Sequence, residues 1–230
     1  MSEAPKFRVG FLLFPNLTQL DLTGPWEVLS GMPNTVTHLI WKTREPVAAA
    51  KGMQIVPDMT FGDCPQLDLL CIPGGPGMNP LLTDAETLDF VRRQAKGVRY
   101  LTSVCTGSLV LGAAGLLKGK RAASHWMSRE LLAKFGAIPV NERVVIDGNI
   151  ISGGGVTAGI DFGLRVMAEI HGAALAQMTQ LAIEYDPAPP FNAGTPATAP
   201  REIVETLLKL AAPMREFRAA QADKAAAALD

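Results

Sequence analysis

Residues 100–117 read YLTSVCTGSLVLGAAGLL. The 18 positions carry no charge, just the length of a membrane span. Thr102, Ser103, Thr106 and Ser108 lie inside the run, with glycines at 107, 112 and 115. Polar and small residues in that pattern fit two buried elements joined at a sharp turn. The expectation is a strand over 98–104, then Cys105, then a helix from 106 to about 116.

Outward from this junction the chain alternates strands and helices. Residues 7–14 (FRVGFLLF) form an apolar run closed by Pro15, and 67–72 (LDLLCI after Gln66) form another. Short continuous apolar runs of this kind suit strands buried on both faces of a parallel sheet. A strand is expected at 36–41, and two β-like pieces broken at Lys51-Gly52 within 47–61. Gly24-Pro25 before WEVL reads as a helix with proline in its first turn. Leu88, Val91 and Ala95 share a helical face in 84–95. A helix over 128–135 should stop at Gly136. Residues 143–152 read as a hairpin turning at Asp147-Gly148. Gly153-Gly154-Gly155 leads into helical periodicity from 157 to 183. The order predicts a doubly wound α/β domain with a mostly parallel sheet, and no internal repeat is visible.

The composition changes at Asp186. Five prolines (187, 189, 190, 196 and 200) mark residues 186–200 as a semi-rigid connector. Residues 201–229 are alanine-rich and helical, with Ile203, Leu207, Leu208 and Ala211 on one face. Such a helix needs a surface, either on its own chain or on a partner subunit. The expected division is an α/β domain over 1–185 and a connector with a C-terminal helical arm over 186–230.

Bulk properties exclude several classes. The 230 residues are 48% hydrophobic and 19% charged, enough for one sizeable core. The net charge of −1 gives no general attraction to nucleic acid or anionic membrane. Cys64, Cys71 and Cys105 are odd in number and form no CxxC pair, which points to free thiols in a reducing cytoplasm. His38 and His171 have no partner at ligand spacing, so no metal site is expected, and no phosphate- or dinucleotide-binding pattern marks a cofactor.

The chemistry should gather at one sheet edge. A cysteine on a strand-to-helix elbow projects from the carboxyl edge, and Gly107 permits the tight turn. The amino end of the following helix would favour thiolate over thiol. Cys71, inside an apolar strand, and Cys64, before Pro65, read as structural. Asp21 follows the first strand and should lie at the same edge, either as an acid/base partner of Cys105 or as a helix cap. Gly74-Gly75 offers backbone N–H groups for a water or a developing charge. His125 is either a catalytic base or a histidine satisfied by the backbone. Trp26 and Trp126 line a pocket or belong to the core.

Together the elbow cysteine, the acid after the first strand and the Pro-Gly-Gly turn resemble the DJ-1/PfpI superfamily. The resemblance rests on 20–25 (LDLTGP), 72–75 (IPGG), 102–117, 153–162 (GGGVTAGIDF) and 184–200 (EYDPAPPFNAGTPATAP), and it narrows to the isocyanide hydratase branch. Peptidase-like members carry histidine after the cysteine, where this chain has Thr106, which points away from proteolysis. DJ-1 and glyoxalase-like members use glutamate as the acid, where this chain has Asp21. The resemblance implies a flavodoxin-like sandwich, a homodimer, and hydration of an isocyanide to an N-substituted formamide through a thioimidate on Cys105. Asp21 would move protons and Thr106 would tune the sulfur. Alternatives are a non-enzymatic redox sensor and glyoxalase-type chemistry by the same thiol. Regulator-like members add a helix-turn-helix pair, for which the roughly 30 residues after Pro200 leave no room.

Overall fold

The computed structural model describes residues 6–229. Eleven strands are present among them: β1 (Phe7–Leu12), β2 (Thr35–Trp41), β3 (Val47–Ala48), β4 (Gln54–Ile55), β5 (Met59–Thr60), β6 (Leu69–Ile72), β7 (Tyr100–Val104), β8 (Arg121–Ala122), β9 (Ile138–Pro139), β10 (Val144–Asp147) and β11 (Ile150–Gly153). Helices are α1 (Gln19–Leu29), α2 (Met78–Leu81), α3 (Ala85–Ala95), α4 (Gly107–Ala113), α5 (Ala158–His171), α6 (Ala173–Ala182), α7 (Arg201–Leu210) and α8 (Ala212–Ala227), with a 3-10 helix over Arg129–Phe135.

Seven strands form one sheet in the order β10-β11-β7-β6-β1-β2-β5. All neighbours run parallel except the β10–β11 hairpin. The chain steps outward from β1 to β2, then returns to β6 on the other side of β1. Strand order therefore reverses between β1 and β6, and the crevice at such a switch point is where this flavodoxin-like α/β architecture places its sites. Asp21 follows β1, Gly74 follows β6 and Cys105 follows β7, so all three reach that crevice.

The uncharged run at 100–117 is β7, the elbow and α4. All seven residues of α4 are buried, which is why the run carries no charge. None of the described helices is long and apolar enough to cross a membrane. Phe11, Phe14, Phe90 and Phe162 are fully buried, and each contributes about 1.5–3 kcal/mol relative to exposure.

Three helix boundaries and one helix type differ from the sequence expectation. The first helix starts at Gln19, so Pro25 lies inside it rather than in its first turn. Lacking an N–H, Pro25 leaves the Asp21 carbonyl without its helical donor. Packing compensates: α1 lies along α5, where Cβ atoms at Gly159 and Gly163 would come within 2.9 Å of Pro25 and Val28. The helix after Cys105 ends at Ala113, well before 116. The periodicity over 157–183 is two helices, broken at Gly172 with φ +89°. The segment 128–135 is 3-10 rather than α, and Gly136 ends it as expected, at φ +70°.

The C-terminal segment also divides, at Ala211, ahead of Pro213. α8 packs on its own chain, against α2, α4 and the 3-10 helix, and buries Arg218, Ala222 and Ala225. α7 buries no residue.

Candidate active site

Cys105 sits between β7 and α4 with φ +56°, a left-handed conformation that costs a non-glycine residue about 1–3 kcal/mol. The surroundings hold it there. Its N–H donates to the carbonyls of Gly153 (3.1 Å) and Gly154 (2.8 Å). Its carbonyl accepts the hydroxyls of Ser108 (3.2 Å) and Ser124 (3.0 Å). A Cβ on Gly107 would stand 2.1 Å from the Ile72 carbonyl oxygen, so only glycine lets the helix start so close to β6.

The acid comes from the other side of the switch point. Asp21 lies in the first turn of α1, not in a loop and not at the cap position, which Thr18 occupies. It is fully buried. Its Oδ2 accepts the Gly74 N–H at 3.1 Å, and its Oδ1 has no hydrogen-bond partner that meets the ordinary geometry. The Cys105 thiol lies close enough to interact with the carboxyl. Burial pushes the Asp21 pKa up to about 7, with the thiol and the Gly74 N–H holding it partly back.

The Pro-Gly-Gly turn serves the site differently from expectation. The Gly75 N–H donates to Thr106 Oγ1 at 3.0 Å. Both glycine N–H groups are therefore spent on Asp21 and Thr106, not offered to a water or substrate. A Cβ on Gly74 would lie 2.6 Å from Thr106 N and Oγ1 and 2.8 Å from Asp21 Oδ2. Gly75, at φ +134°, packs against the backbone of Leu17 and Thr18. Glycine is thus what lets three segments converge.

The thiol itself departs from expectation. It is only 4% exposed. Burial, then the Asp21 charge, push its pKa well above the ordinary value, while the Thr106 N–H and the Arg218 cation pull it partly down. The seven-residue α4 does not by itself make a resting thiolate. Cys71, fully buried in β6, is pushed up to about 12, and half-buried Cys64, which donates to the Pro65 carbonyl, to about 11. Burial is the main cause for both.

His125 is not among the groups acting most strongly on the Cys105 thiol. Its Nδ1 accepts the Met127 N–H at 3.3 Å, its ring packs beside Trp126, and burial lowers its pKa. Trp26 packs on Phe11, with ring centroids 5.3 Å apart. No cluster of residues suited to a metal ion occurs among the described residues.

Two contributors carried no sequence signal. Ser124 secures the elbow carbonyl from a segment singled out for His125 and Trp126. Arg218 reaches the site region from an alanine-rich helix at the far end of the chain. No local pattern marks either one.

Several known proteins are similar to this chain along much of its length. Isonitrile hydratase of Pseudomonas putida is 55% identical, over 97% of this chain and 98% of that protein. The crystal structure of a THiJ/PfpI family protein from Pseudomonas syringae superposes with a TM-score of 0.92 at 44% identity, covering 96% of this chain and 94% of that one. The transcriptional regulator GbdR of Pseudomonas aeruginosa is 32% identical over 73% of this chain but only 48% of its own length. The DJ-1/PfpI family profile matches residues 7–169, which run from β1 through the elbow into α5. With that match spanning well over half of the chain, Asp21, Gly74 and Cys105 included, the chain belongs to the DJ-1/PfpI family.

Proposed function

We propose that this protein is an isocyanide hydratase, converting R–N≡C and water to R–NH–CHO with Cys105 as nucleophile. The observation that carries the conclusion is the likeness to the Pseudomonas putida isonitrile hydratase along the full length of both chains. The buried carboxyl–thiol pair supports it chemically. The terminal carbon of an isocyanide is small and must accept both a nucleophile and a proton. A thiol beside a carboxyl that titrates near neutrality offers both.

In the first step the Asp21 carboxylate takes the thiol proton as Sγ bonds to the terminal carbon. The same proton passes to that carbon, giving the thioimidate R–N=CH–S–Cys105. Water then adds to the thioimidate carbon. Asp21 takes a proton from the water and the nitrogen gains one, giving R–NH–CH(OH)–S–Cys105. The C–S bond breaks as the hydroxyl proton leaves, the formamide departs, and the thiol regains its proton. Proton count is conserved around the cycle, so no cofactor enters. Thr106, held by Gly75, keeps its backbone N–H directed at the sulfur through each step.

Incubation with an aryl isocyanide should yield the matching formamide, and Cys105→Ala should abolish it. Turnover surviving in Cys105→Ala contradicts the mechanism. The sensor alternative needs an exposed thiol of low pKa, and the buried thiol here runs the other way.

A homodimer belongs to the same proposal, with residues 186–230 as its connector and arm. On α7, Ile203, Leu207 and Leu210 are all exposed, and a second copy of this chain would cover them. Three unpaired cysteines suit a reducing, cytoplasmic setting.

A further inference from the structure

Arg218 is 3% exposed, yet among the described residues no carboxylate pairs with it. An arginine stays protonated in a protein, so a buried one without a counter-anion is costly. Its guanidinium is held by neutral groups. Nε donates to Asn79 Oδ1 at 2.8 Å and Nη1 to Ser128 Oγ at 2.5 Å, with Met214 Sδ near Nη2.

Both oxygen anchors lie on segments adjoining those that hold the elbow. Asn79 belongs to α2, directly after the glycine turn that holds Asp21 and Thr106. Ser128 closes the turn that begins at His125, next to Ser124, which secures the Cys105 carbonyl. Arg218 therefore ties these two segments together and lies within electrostatic reach of the sulfur.

We propose that Arg218, carried in by the C-terminal helix α8, is the buried counter-charge of the Cys105 thiolate and a positioning residue for its formation. The unpaired cation supplies part of the attraction that α4 is too short to give. The proton passes from sulfur to Asp21, and the negative charge left on sulfur faces Arg218.

The other charged groups around it are accounted for. α2 and α4 carry no titratable residue. On the 3-10 helix, Lys134 pairs with Asp223, and Arg129 with Asn141 and Glu130. On α8, Glu216 is exposed, and Arg215 is a second cation one turn earlier whose buried Nε has no partner. Burial first, and then the Arg218 charge, lower the His125 pKa. Asp21 is the carboxyl that acts on the thiol.

The catalytic meaning of this assignment rests on Cys105 being the reacting thiol, but ionisation can be measured without any isocyanide. Alkylation of Cys105 by iodoacetamide is followed by peptide mass spectrometry from pH 6.5 to 10. Arg218→Gln should react about tenfold more slowly at pH 8, as expected for a midpoint raised by about one unit. Arg218→Lys should stay within about threefold of wild type, because the charge is kept. A folded Arg218→Gln protein reacting at the wild-type rate overturns the proposal, as does Arg218→Lys slowed as much as Arg218→Gln. Should Arg218→Gln not fold, Asp21→Asn decides. With the carboxylate gone, Cys105 should prefer anionic iodoacetate over iodoacetamide several-fold more than a free cysteine peptide does, since a nearby cation attracts the anion. An equal or lower preference overturns the proposal. Absence of isocyanide turnover in the wild-type protein, with these shifts intact, would count against the hydratase function and leave the Arg218 assignment standing.

Discussion

The carboxyl of Asp21 and the thiol of Cys105 meet in a space nearly closed to water, with Asp21 fully buried and Cys105 4% exposed. Burial raises the pKa of both groups, and the Asp21 charge raises that of the thiol further, while the thiol's own interaction favours the ionised carboxyl. That burial keeps a proton on the pair, as hydration of an isocyanide requires.

It also costs stability. The folded-state pKa of Asp21, about 7, lies above its ordinary value of 3.8. The folded state then holds the proton more tightly than the unfolded chain. This contribution is favourable below about pH 4, is lost between about pH 4 and 7, and stays lost above that. Asp21→Asn should therefore be more stable than wild type at pH 8, by up to about 4 kcal/mol, with the difference vanishing toward pH 4. Urea unfolding at both pH values checks the sign. The same variant should lose turnover by about 10²-fold or more.

Gly74→Ala should damage both fold and activity. The added Cβ meets the backbone nitrogen of Thr106, which cannot swing aside. A loss of about 1–3 kcal/mol is expected from such overpacking, with turnover falling at least about tenfold as Asp21 and Thr106 separate. Thermal unfolding and a single-substrate assay report the two effects.

Thr106→Val keeps the shape but removes the acceptor of the Gly75 N–H. A buried donor left unpaired costs about 1–3 kcal/mol. Thr106→Ser should restore most of that loss. Comparing the denaturant midpoints of the two variants isolates the hydrogen bond from the methyl group.

The apolar face of α7 gives a test of assembly. Ile203→Glu with Leu207→Glu should shift the protein from dimer to monomer in light scattering while the far-ultraviolet spectrum is unchanged, because neither residue is buried within its own chain. A dimer unaffected by both charges would place the interface elsewhere.

Where packing follows from local pattern, the sequence was readable. The apolar runs at 7–14 and 67–72, the Asp147-Gly148 hairpin and the strand feeding Cys105 all appear where expected. The left-handed φ of Cys105 agrees with the expected elbow. Pro25 misled because tertiary contact with α5 outweighs its helix-breaking tendency. Gly172 divides a periodicity that hydrophobic spacing alone continues. Gly74 and Gly75 were placed at the right edge, but their N–H groups went to Asp21 and Thr106, a pairing set by three-dimensional proximity. The raised thiol pKa escaped for a similar reason. A helix start and a carboxyl at the same edge are visible in sequence, whereas the depth of their burial is not. Arg218 lies beyond any local rule, since only the return of α8 over α2 and the 3-10 helix brings it near the elbow.

The central claim is that Cys105 forms a covalent bond to the isocyanide carbon. Mass spectrometry of the protein quenched during turnover of an aryl isocyanide tests it most directly. An adduct equal in mass to one substrate molecule should appear on the peptide containing Cys105, and both it and formamide production should be absent in Cys105→Ala. Formamide production without any adduct on Cys105, or production undiminished in Cys105→Ala, would contradict it.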